Sequence, residues 1–351
     1  MNTWVEITAP GALVTVQDLG RSGWRRFGVP LAGALDSGLL RIANRLAGNA
    51  DASSALEFFL LGPRFLAIDA PVQLAFAGDF SVTLLHADER RVLASWRSMT
   101  LQPGDALQVG ALRSGRVGYI ALAGLAVAPV LGSASTYARA RLGGMGGRAL
   151  AAGDRLTVAA VAAGPPGGAT VERVLRTPPT ASDGSIRVVI GPQDDHFDGA
   201  ALAVFFDGAY RLSRDADRMG LRLEGPPLRH RPDKGAEIVS DAAVPGSIQV
   251  PGNGQPIVLL ADGQTVGGYP KIATVASADL ARLASAPVGT VLRFAAVTVA
   301  EAEALARAHE AALLRHLAAI APLTLVEGID IVALYDSNLV SAMIDALQPP
   351  G

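Results

Sequence analysis

The stretch GSIQVPGNGQPIVLLADGQTVGGYPKIATV, Gly246 to Val275, alternates short apolar runs with glycine, proline, asparagine and aspartate. Runs such as Ile257 to Leu260 are too short for typical helices and are bounded by turn residues, so they predict β-strands. Near the end of the stretch lies Lys271, one of two lysines among 30 lysine and arginine residues. Because arginine is otherwise the default cation, a lysine here favours a site that uses a primary amine.

Length and composition narrow the class of protein. A chain of 351 residues favours two domains or a duplicated fold, and 39 glycines with 22 prolines are typical of a β-rich protein. A net charge of −2 predicts no nucleic-acid partner. The chain has no cysteine, which excludes disulfides and a cysteine nucleophile, and its first residues lack the pattern of a signal peptide. We expect a soluble, cytoplasmic protein that has no membrane partner.

One segment marks a division of the chain. The stretch AAGPPGGATVERVLRTPPTASDGS, Ala162–Ser185, is rich in proline and glycine and reads as a linker, although its VERVL portion is compatible with a short strand. The pattern L-x-x-G-D-x-L-x-V occurs at Leu101 and Leu150, with a looser echo at Ala286, and predicts tight turns that feed strands. We expect a first β half, a linker, a second β half and a C-terminal helical segment, at residues 1–165, 166–185, 186–300 and 301–351.

Apolar spacing predicts a small number of helices. LDSGLLRIANRLAGN has a plausible N-cap at Asp36 and an exit at Gly48. SADLARLASA predicts a short helix capped by Ser277, and TVAEAEALARAHEAALLRHLAAI predicts a long C-terminal helix. The closing YDSNLVSAMIDAL is compatible with one more helix.

Three polar or glycine-rich motifs invite chemical interpretations. DDHF, Asp194–Phe197, offers mixed ligands for a cation but reads better as a polar loop, and we expect no metal site. GGMGGR, Gly143–Arg148, is compatible with a flexible turn or with an anion site that uses Arg148 as its cation. The hydroxyls of GSASTY, Gly132–Tyr137, lie outside a nucleophile-elbow pattern, so turn and cap roles are favoured.

Lys271 follows a turn that allows close approach to a ligand. Gly267 and Gly268 permit unusual backbone angles, and Pro270 restrains Tyr269 to extended geometry. A lysine in a cleft wall serves as a base with a lowered pKa or as a cation that polarises a carbonyl oxygen. A surface lysine at the start of a strand is the competing interpretation.

Other polar side chains lie in the same region. The carboxylate of Asp241 and the amides of Gln249 and Gln264 have the donors and acceptors to bind an amide or ureido group. As loop residues they could equally bond only to the backbone.

Several motifs, in order along nearly the whole chain, together resemble one family. They are VQDLGRSGWRRFGVPLAGALD, ANRLAGN, LEFFLLGP, LGSASTYARARLGGMGGRALAAGD, GPQDDHF, RDADRMGLRLEG, the stretch from Gly246 to Val275 quoted above, and NLVSAMIDAL. The chain resembles the biotin-dependent carboxyltransferase family, which includes the C subunit of bacterial ATP-dependent 5-oxoprolinase, KipA-like proteins and a region of urea carboxylase. One departure is Leu35, at a position where the family often has methionine.

The resemblance implies a fold and a site. The fold is mainly β with some helices, in two cyclophilin-like β-barrel halves with a cleft between them and a C-terminal helical segment. It implies that Lys271 faces biotin or a substrate, and that Asn44 and Asp241 hold the acceptor as catalytic residues. The residues expected to bind substrate beside them are Gln249, Gln264, Gly268, Tyr269 and Arg148.

The resemblance also implies a reaction. A chain similar to the 5-oxoprolinase member of the family would act with A-type and B-type subunits to open 5-oxoproline to L-glutamate, with ATP used by the complex and no cofactor bound covalently to this chain. A second possibility is carboxyl transfer to a urea-like or amide acceptor from biotin carried by a partner. A third is a KipA-type regulatory protein that binds an inhibitor of a histidine kinase.

Overall fold

The first half of the chain, residues 2–161, forms two antiparallel sheets that face one another. The computed structural model describes residues 2–87, 89–161, 171–180, 184–326 and 329–330. The strands of the first half are β1 (Asn2–Ala9), β2 (Thr15–Gln17), β3 (Ala55–Phe59), β4 (Arg64–Ala67), β5 (Val72–Ala77), β6 (Phe80–His86), β7 (Glu89–Ala94), β8 (Ser98–Leu101), β9 (Ala106–Leu112), β10 (Val117–Leu122) and β11 (Arg155–Ala159). Their spatial orders are β11-β1-β4-β9-β6-β7 and β2-β3-β10-β5-β8.

The repeated G-D pattern forms the turns that the sequence predicts. Gly104 and Gly153 both have φ of 87°, a left-handed angle that favours glycine, and each precedes a strand of the six-stranded sheet. The following aspartate stabilises each turn in the same way. Asp105 accepts from the backbone N–H of Gln102, and Asp154 accepts from that of Ala151, each at 2.8 Å.

The second half, residues 184–326, is built on one eight-stranded sheet. After β12 (Arg173–Val174), the strands are β13 (Ile186–Ile190), β14 (Tyr210–Ala216), β15 (Gly220–Glu224), β16 (Asp241–Ala242), β17 (Ser247–Gln249), β18 (Ile257–Leu259), β19 (Val266–Gly267), β20 (Lys271–Val275), β21 (Val291–Leu292), β22 (Phe294–Ala296), β23 (Ala321–Pro322), β24 (Leu325–Val326) and β25 (Ile329–Asp330). The order of the large sheet is β21-β14-β15-β18-β17-β20-β13-β22, in which β13 and β22 are parallel. Two-stranded pairs join β12 to β23, β16 to β19 and β24 to β25.

Four α-helices lie in the described part of the chain, and two were predicted with their ends. The helices are α1 (Ser37–Ala47), α2 (Gly199–Asp207), α3 (Ser277–Ala284) and α4 (Val299–Ala318). Asp36 caps α1 by accepting from the N–H of Leu39, and Gly48 ends it with φ of 83°. Helix α4 begins with a capping box between Thr298 and Glu301.

Other helix predictions had mixed outcomes. The predicted cap at Ser277 is wrong, because Ser277 is the first residue of α3 and the N-cap is Ala276. Helix α2 was not predicted from the sequence. The segment YDSNLVSAMIDAL lies outside the described residues. None of the described helices combines the length and the apolar character needed to cross a bilayer.

The five-stranded sheet is buried on both faces. Along β10, Ile120 and Leu122 pack in the core of the first half, together with residues of the six-stranded sheet. The alternate residues Tyr119 and Ala121 belong to a second core that also contains α1 and the large sheet. Leu40 of α1 is fully buried in this second core, and burying such a side chain contributes about 1.5–3 kcal/mol.

The prediction of a mainly β fold with helices is confirmed, and the division into domains stays a prediction. Part of the predicted linker has structure, because the VERVL portion contains β12, which pairs with β23. Its neighbour Glu172 binds Arg97 at 2.7 Å, and the N–H of Arg173 donates to the Ser98 hydroxyl at 2.7 Å. The predicted C-terminal helical segment begins with α4 and continues into short strands.

A buried ionic network joins the two halves. Arg218 of the second half contacts both oxygens of Asp262, at 2.9 and 3.0 Å, and also forms an ion pair with Glu57 of β3. The other oxygen of Glu57 accepts from the N–H of Leu35 at 2.8 Å and from the hydroxyl of Tyr119. Three charged groups are therefore withdrawn from water at the junction of the halves, where each carboxylate is paired with the same guanidinium group.

Candidate functional site

A cavity of about 290 Å³ lies where a loop of the first half meets the large sheet of the second. The first half contributes Arg139, which belongs to a 3₁₀ turn at Ala138–Ala140. The sheet contributes Arg222 of β15, Ile257 of β18 and Gln249 of β17, and a loop contributes Tyr269. Residues from distant parts of the chain thus form one wall, which is the arrangement expected of a cleft between halves.

Four residues on adjacent strands form a cross-strand row in the register of the large sheet. Arg222 pairs with Ile257, Ile257 pairs with Gln249, and Gln249 pairs with Lys271. Adjacent strands are about 4.8 Å apart, so Arg222 and Lys271 are about 14 Å apart at the backbone. The cross-strand row places a guanidinium group at one end, an amide in the middle and an ammonium group at the other end.

The Lys271 side chain is almost fully buried, with 4% of its surface exposed. Its Nζ donates to Asp241 Oδ2 at 2.8 Å, and Asp241 is its one hydrogen-bonding partner among the described residues. An ammonium group has three donors, so two remain for a ligand or water. Gln193 supports the pair from both sides, because its Nε2 donates to Asp241 Oδ2 at 3.0 Å and its Oε1 accepts from the N–H of Lys271 at 3.2 Å. Lys271 is therefore not a surface lysine.

These contacts change the acidity of Asp241. The hydrogen bond from Lys271 lowers the pKa of Asp241 to about 2, with further contributions from the N–H of Ala242 and from Gln193. The pKa of Asp241 in the folded chain lies below the ordinary 3.8 of the unfolded chain. The ion pair therefore stabilises the folded chain at pH values above 3.8. That contribution is lost as the pH falls through about 2.

The ionisation of Asp241 is directly testable. With a pKa of about 2, only about a tenth of Asp241 should be protonated at pH 3, whereas an ordinary aspartate is mostly protonated there. The carbon shift of the Asp241 carboxyl group, followed by NMR from pH 7 to pH 3, should stay nearly constant. In a Lys271→Met variant the titration midpoint should rise toward the ordinary value. An unchanged midpoint in that variant would show that Lys271 does not hold the carboxylate.

A pair of amides lies beside the ion pair. Gln264 Nε2 donates to Gln249 Oε1 at 3.0 Å, while Gln249 Nε2 is buried and has no partner in the described residues. A Cβ on Gly267 would lie 2.3 Å from that Nε2 atom, so only glycine leaves room for the Gln249 amide. Gly267 also pairs with Asp241 between β16 and β19, so it is the point at which the amide pair meets the ion pair.

Of the two glycines before Lys271, Gly267 matters by its size, and neither glycine is required by its backbone angle. Neither Gly267 nor Gly268 adopts a left-handed φ, contrary to the expectation from the sequence. Gly268 accepts from the N–H of Ile238 at 2.9 Å through its carbonyl oxygen, and a Cβ there would meet nothing closer than 3.5 Å.

The structure does not support the assignment of Asn44 to the site. Its Nδ2 donates to the carbonyl oxygens of Ser53, at 2.6 Å, and Asp51, at 3.3 Å. Its Oδ1 accepts from Asn49 Nδ2 at 3.1 Å. Asn44 is fully buried, and its amide is used to close the loop that follows α1. We therefore assign it to the fold rather than to substrate.

Arg148 likewise does not join the cavity. It is exposed, and both of its Nη atoms donate to Asp154 at 2.8 Å. Two glycines of the motif pack against backbone, since a Cβ on Gly143 would lie 2.1 Å from the carbonyl oxygen of Ser135 and one on Gly147 would lie 2.0 Å from the carbonyl carbon of Arg141. The prediction of an anion site at Arg148 is replaced by a turn held by an exposed ion pair.

Two further motifs have the loop roles that the sequence favoured. The hydroxyls of Ser133 and Ser135 both donate to Asp18, each at 2.6 Å. In the DDHF motif, Asp195 pairs with Lys234 at 2.5 Å and the His196 ring bonds to the carbonyl oxygen of Gly235. Within the residues that the structure describes, no three acidic or histidine side chains converge as metal ligands.

Gln193, Arg139 and Arg222 were missed by the analysis of the sequence. Gln193 lies in the GPQDDHF motif, in which the acidic residues and the histidine are the more obvious ligands. It is 48 residues from Asp241 and 78 from Lys271, so only the pairing of β13 with β20 brings them together. Membership in the shared motifs was the one available signal for all three residues.

The family follows from a match that covers most of the chain. The model of the "Carboxyltransferase domain, subdomain A and B" matches residues 27–296. The chain belongs to this carboxyltransferase family. The matched residues include the cavity, the ion pair and the amide pair.

Relatives of this carboxyltransferase-family chain fall into two groups. It is 37% identical to the 5-oxoprolinase C subunit of Escherichia coli (strain K12), over 85% of this chain and 93% of the relative. It is 36% identical to the Haemophilus influenzae protein of the same name, over 87% of this chain and 95% of the relative. The solved structure of Kluyveromyces lactis urea carboxylase is 30% identical with a TM-score of 0.77, over 89% of this chain but 29% of that one.

Proposed function

We propose that this chain is the C subunit of a cytoplasmic 5-oxoprolinase, which acts with A-type and B-type subunits to open 5-oxoproline to L-glutamate. The observation that carries the proposal is that this chain matches two C-subunit relatives over nearly their whole length. Two relatives named as the C subunit of 5-oxoprolinase are matched over 93% and 95% of their length, whereas a urea amidolyase from Lachancea kluyveri is matched over 18%. The site is compatible with the chemistry of this reaction.

A lactam fits the donors and acceptors of the site. Lys271 has two unused N–H donors in a nearly dry position, where they would polarise the lactam oxygen or an attached phosphate. The Gln264 carboxamide oxygen accepts no hydrogen bond from the described residues and is available to the lactam N–H. Ring opening breaks the C–N bond of the lactam and adds water across it, with ATP consumed by the complex. We propose no cofactor bound covalently to this chain.

Reconstitution tests the proposal. The chain is purified with the A-type and B-type subunits from the same source, and glutamate release from 5-oxoproline is measured with and without ATP. We expect ATP-dependent release by the complete complex and loss of release when this chain is left out. An intact complex that releases no glutamate would refute the proposed function.

A second candidate is carboxyl transfer from partner-borne biotin to a urea-like or amide acceptor. It is favoured by the likeness to urea carboxylase, and a ureido ring presents the same N–C=O unit to the amide pair as a lactam does. Activity that requires biotin on a partner and is blocked by avidin would select this candidate. A KipA-type regulatory role would instead show as partner binding that survives a Lys271 substitution, with no turnover in any reconstitution.

The position of the Gln249 amide should matter for turnover. Gly267→Ala pushes a methyl group against Gln249 Nε2, and a displacement of about 1 Å near a reacting group costs up to about 100-fold in rate. We expect turnover by the reconstituted complex to fall by about 10-fold or more. The matched control is Gly268→Ala, whose methyl group has room and should leave turnover unchanged. Equal activity of the two variants would argue against a role for the amide pair.

A further inference from the structure

Two arginines line the cavity without forming an ion pair to any described residue. Among the described residues, neither Arg139 nor Arg222 forms an ion pair with a carboxylate, and Arg139 contacts only the Met219 sulfur, at 2.9 Å. Some exposed arginines elsewhere in the chain are paired, as Arg148 is with Asp154 and Arg231 is with Asp233, whereas others, such as Arg64 and Arg229, form no ion pair with the described residues. Two guanidinium groups from opposite halves thus line one cavity with their donors largely free.

Two aspartates also line this cavity, and they differ in how far they are engaged. Asp217 Oδ1 accepts from the backbone N–H groups of Met219 and Gly220, at 2.8 and 3.1 Å, so its charge is stabilised within its own turn. The Asp215 carboxylate has no such contact among the described residues. Both carboxylates oppose an anion in the cavity, and Asp215 is the one that no hydrogen-bond donor stabilises among the described residues.

The order of groups along the cross-strand row resembles the order of groups in the proposed substrate. In 5-oxoproline the ring N–H stands between the carbon that bears the carboxylate and the lactam carbonyl. The cross-strand row has Arg222 at one end, Gln249 of the amide pair in the middle and Lys271 at the other end. A ligand that places its N–H at the amide pair and its carbonyl toward Lys271 has its carboxylate on the side of Arg222 and Arg139.

We propose that Arg139 and Arg222 together form a carboxylate subsite that selects anionic lactams over neutral amides and ureas. This inference rests on the proposed function and assigns specificity residues that the reaction alone does not identify. Guanidinium groups suit the task because their planar donors bind carboxylates in a bidentate manner. Since the two arginines belong to different halves, a bound carboxylate would also bridge the cleft.

The test compares 5-oxoproline with 2-pyrrolidinone, the same lactam without the carboxylate. Binding of each to the full chain is measured by calorimetry or ligand-detected NMR. We expect the unmodified chain to prefer 5-oxoproline. Arg139→Met and Arg222→Met should each weaken 5-oxoproline binding by about 10-fold or more, with 2-pyrrolidinone binding unchanged. Asp215→Asn should strengthen 5-oxoproline binding by about twofold or more, because it removes an opposing charge.

The control is Arg148→Met, which removes an exposed, paired arginine and should leave both affinities unchanged. In the reconstituted complex, the Arg222→Met variant should raise KM for 5-oxoproline with little change in kcat. An unmodified chain without preference for the carboxylate, or variants that lose both ligands equally, would overturn the subsite. Failure of the proposed function is a separate outcome, namely no turnover by the unmodified complex despite selective binding of 5-oxoproline.

Discussion

Replacing Lys271 with methionine should lower turnover by the reconstituted complex by about 100-fold to 1000-fold while the chain stays folded. Removing one preorganised charged donor from a water-poor site typically costs that much in rate. The ammonium group is buried, is bonded to Asp241 at 2.8 Å and has two donors left for substrate. Methionine keeps the length and the apolar stem of lysine, so the loss should fall on kcat rather than on stability.

The other lysine of the chain provides the control. Lys234 also pairs with an aspartate, Asp195, but 40% of its side-chain surface is exposed, against 4% for Lys271, and it lies outside the cross-strand row. Lys234→Met should therefore keep full turnover. The measurement is glutamate release per complex, together with the melting temperature of each variant. Full activity of Lys271→Met, in a complex that melts as the unmodified one does, would remove Lys271 from the mechanism.

Replacing Arg218 with methionine should destabilise the chain by about 3–5 kcal/mol, the usual cost of breaking a buried ion pair. The substitution leaves the carboxylates of Glu57 and Asp262 buried without their cation. Burial already raises the pKa of Asp262 despite the presence of Arg218. Arg218 counteracts that rise, so without the arginine we expect the pKa of Asp262 to rise further.

Urea unfolding measures this effect. Arg231→Met is the matched control, because Arg231 and Asp233 form an exposed pair, with 44% and 59% of their side-chain surfaces exposed, and such pairs contribute at most about 1 kcal/mol. The double variant Glu57→Gln, Arg218→Met should lose less free energy of unfolding than the two single variants lose together. In the double variant, position 57 no longer carries a buried charge that lacks its cation. Strict additivity would contradict a network shared between the halves.

Local rules explain what the sequence predicted well. The caps of α1 and α4 and the G-D turns before β9 and β11 depend on residues within four positions of one another. Short apolar runs with turn residues also predict strands without knowledge of their partners. The position of Lys271 after two glycines and a proline belongs to the same class of local signal.

Contacts between distant residues could not be predicted in this way. Asn44 is a buried polar residue on an apolar helix face, and the sequence cannot tell whether such an amide binds a ligand or closes its own loop. Arg148 and Arg139 lie in one motif, yet only Arg139 lines the cavity, because the following turn gives Arg148 its own aspartate. The environment of Lys271 likewise depends on Gln193, which reaches it only through the pairing of β13 with β20.

The two-sided burial of β10 has a consequence for how this protein can be divided. A cut within residues 166–185 would leave the first piece with Tyr119, Ala121 and the apolar side of α1 facing water. It would also leave Arg218 on one piece and Glu57 on the other. Two such fragments would behave as an obligate heterodimer, with a contact surface that resembles a protein core. A gene split at this position would therefore have to produce both products together, and neither fragment would persist alone.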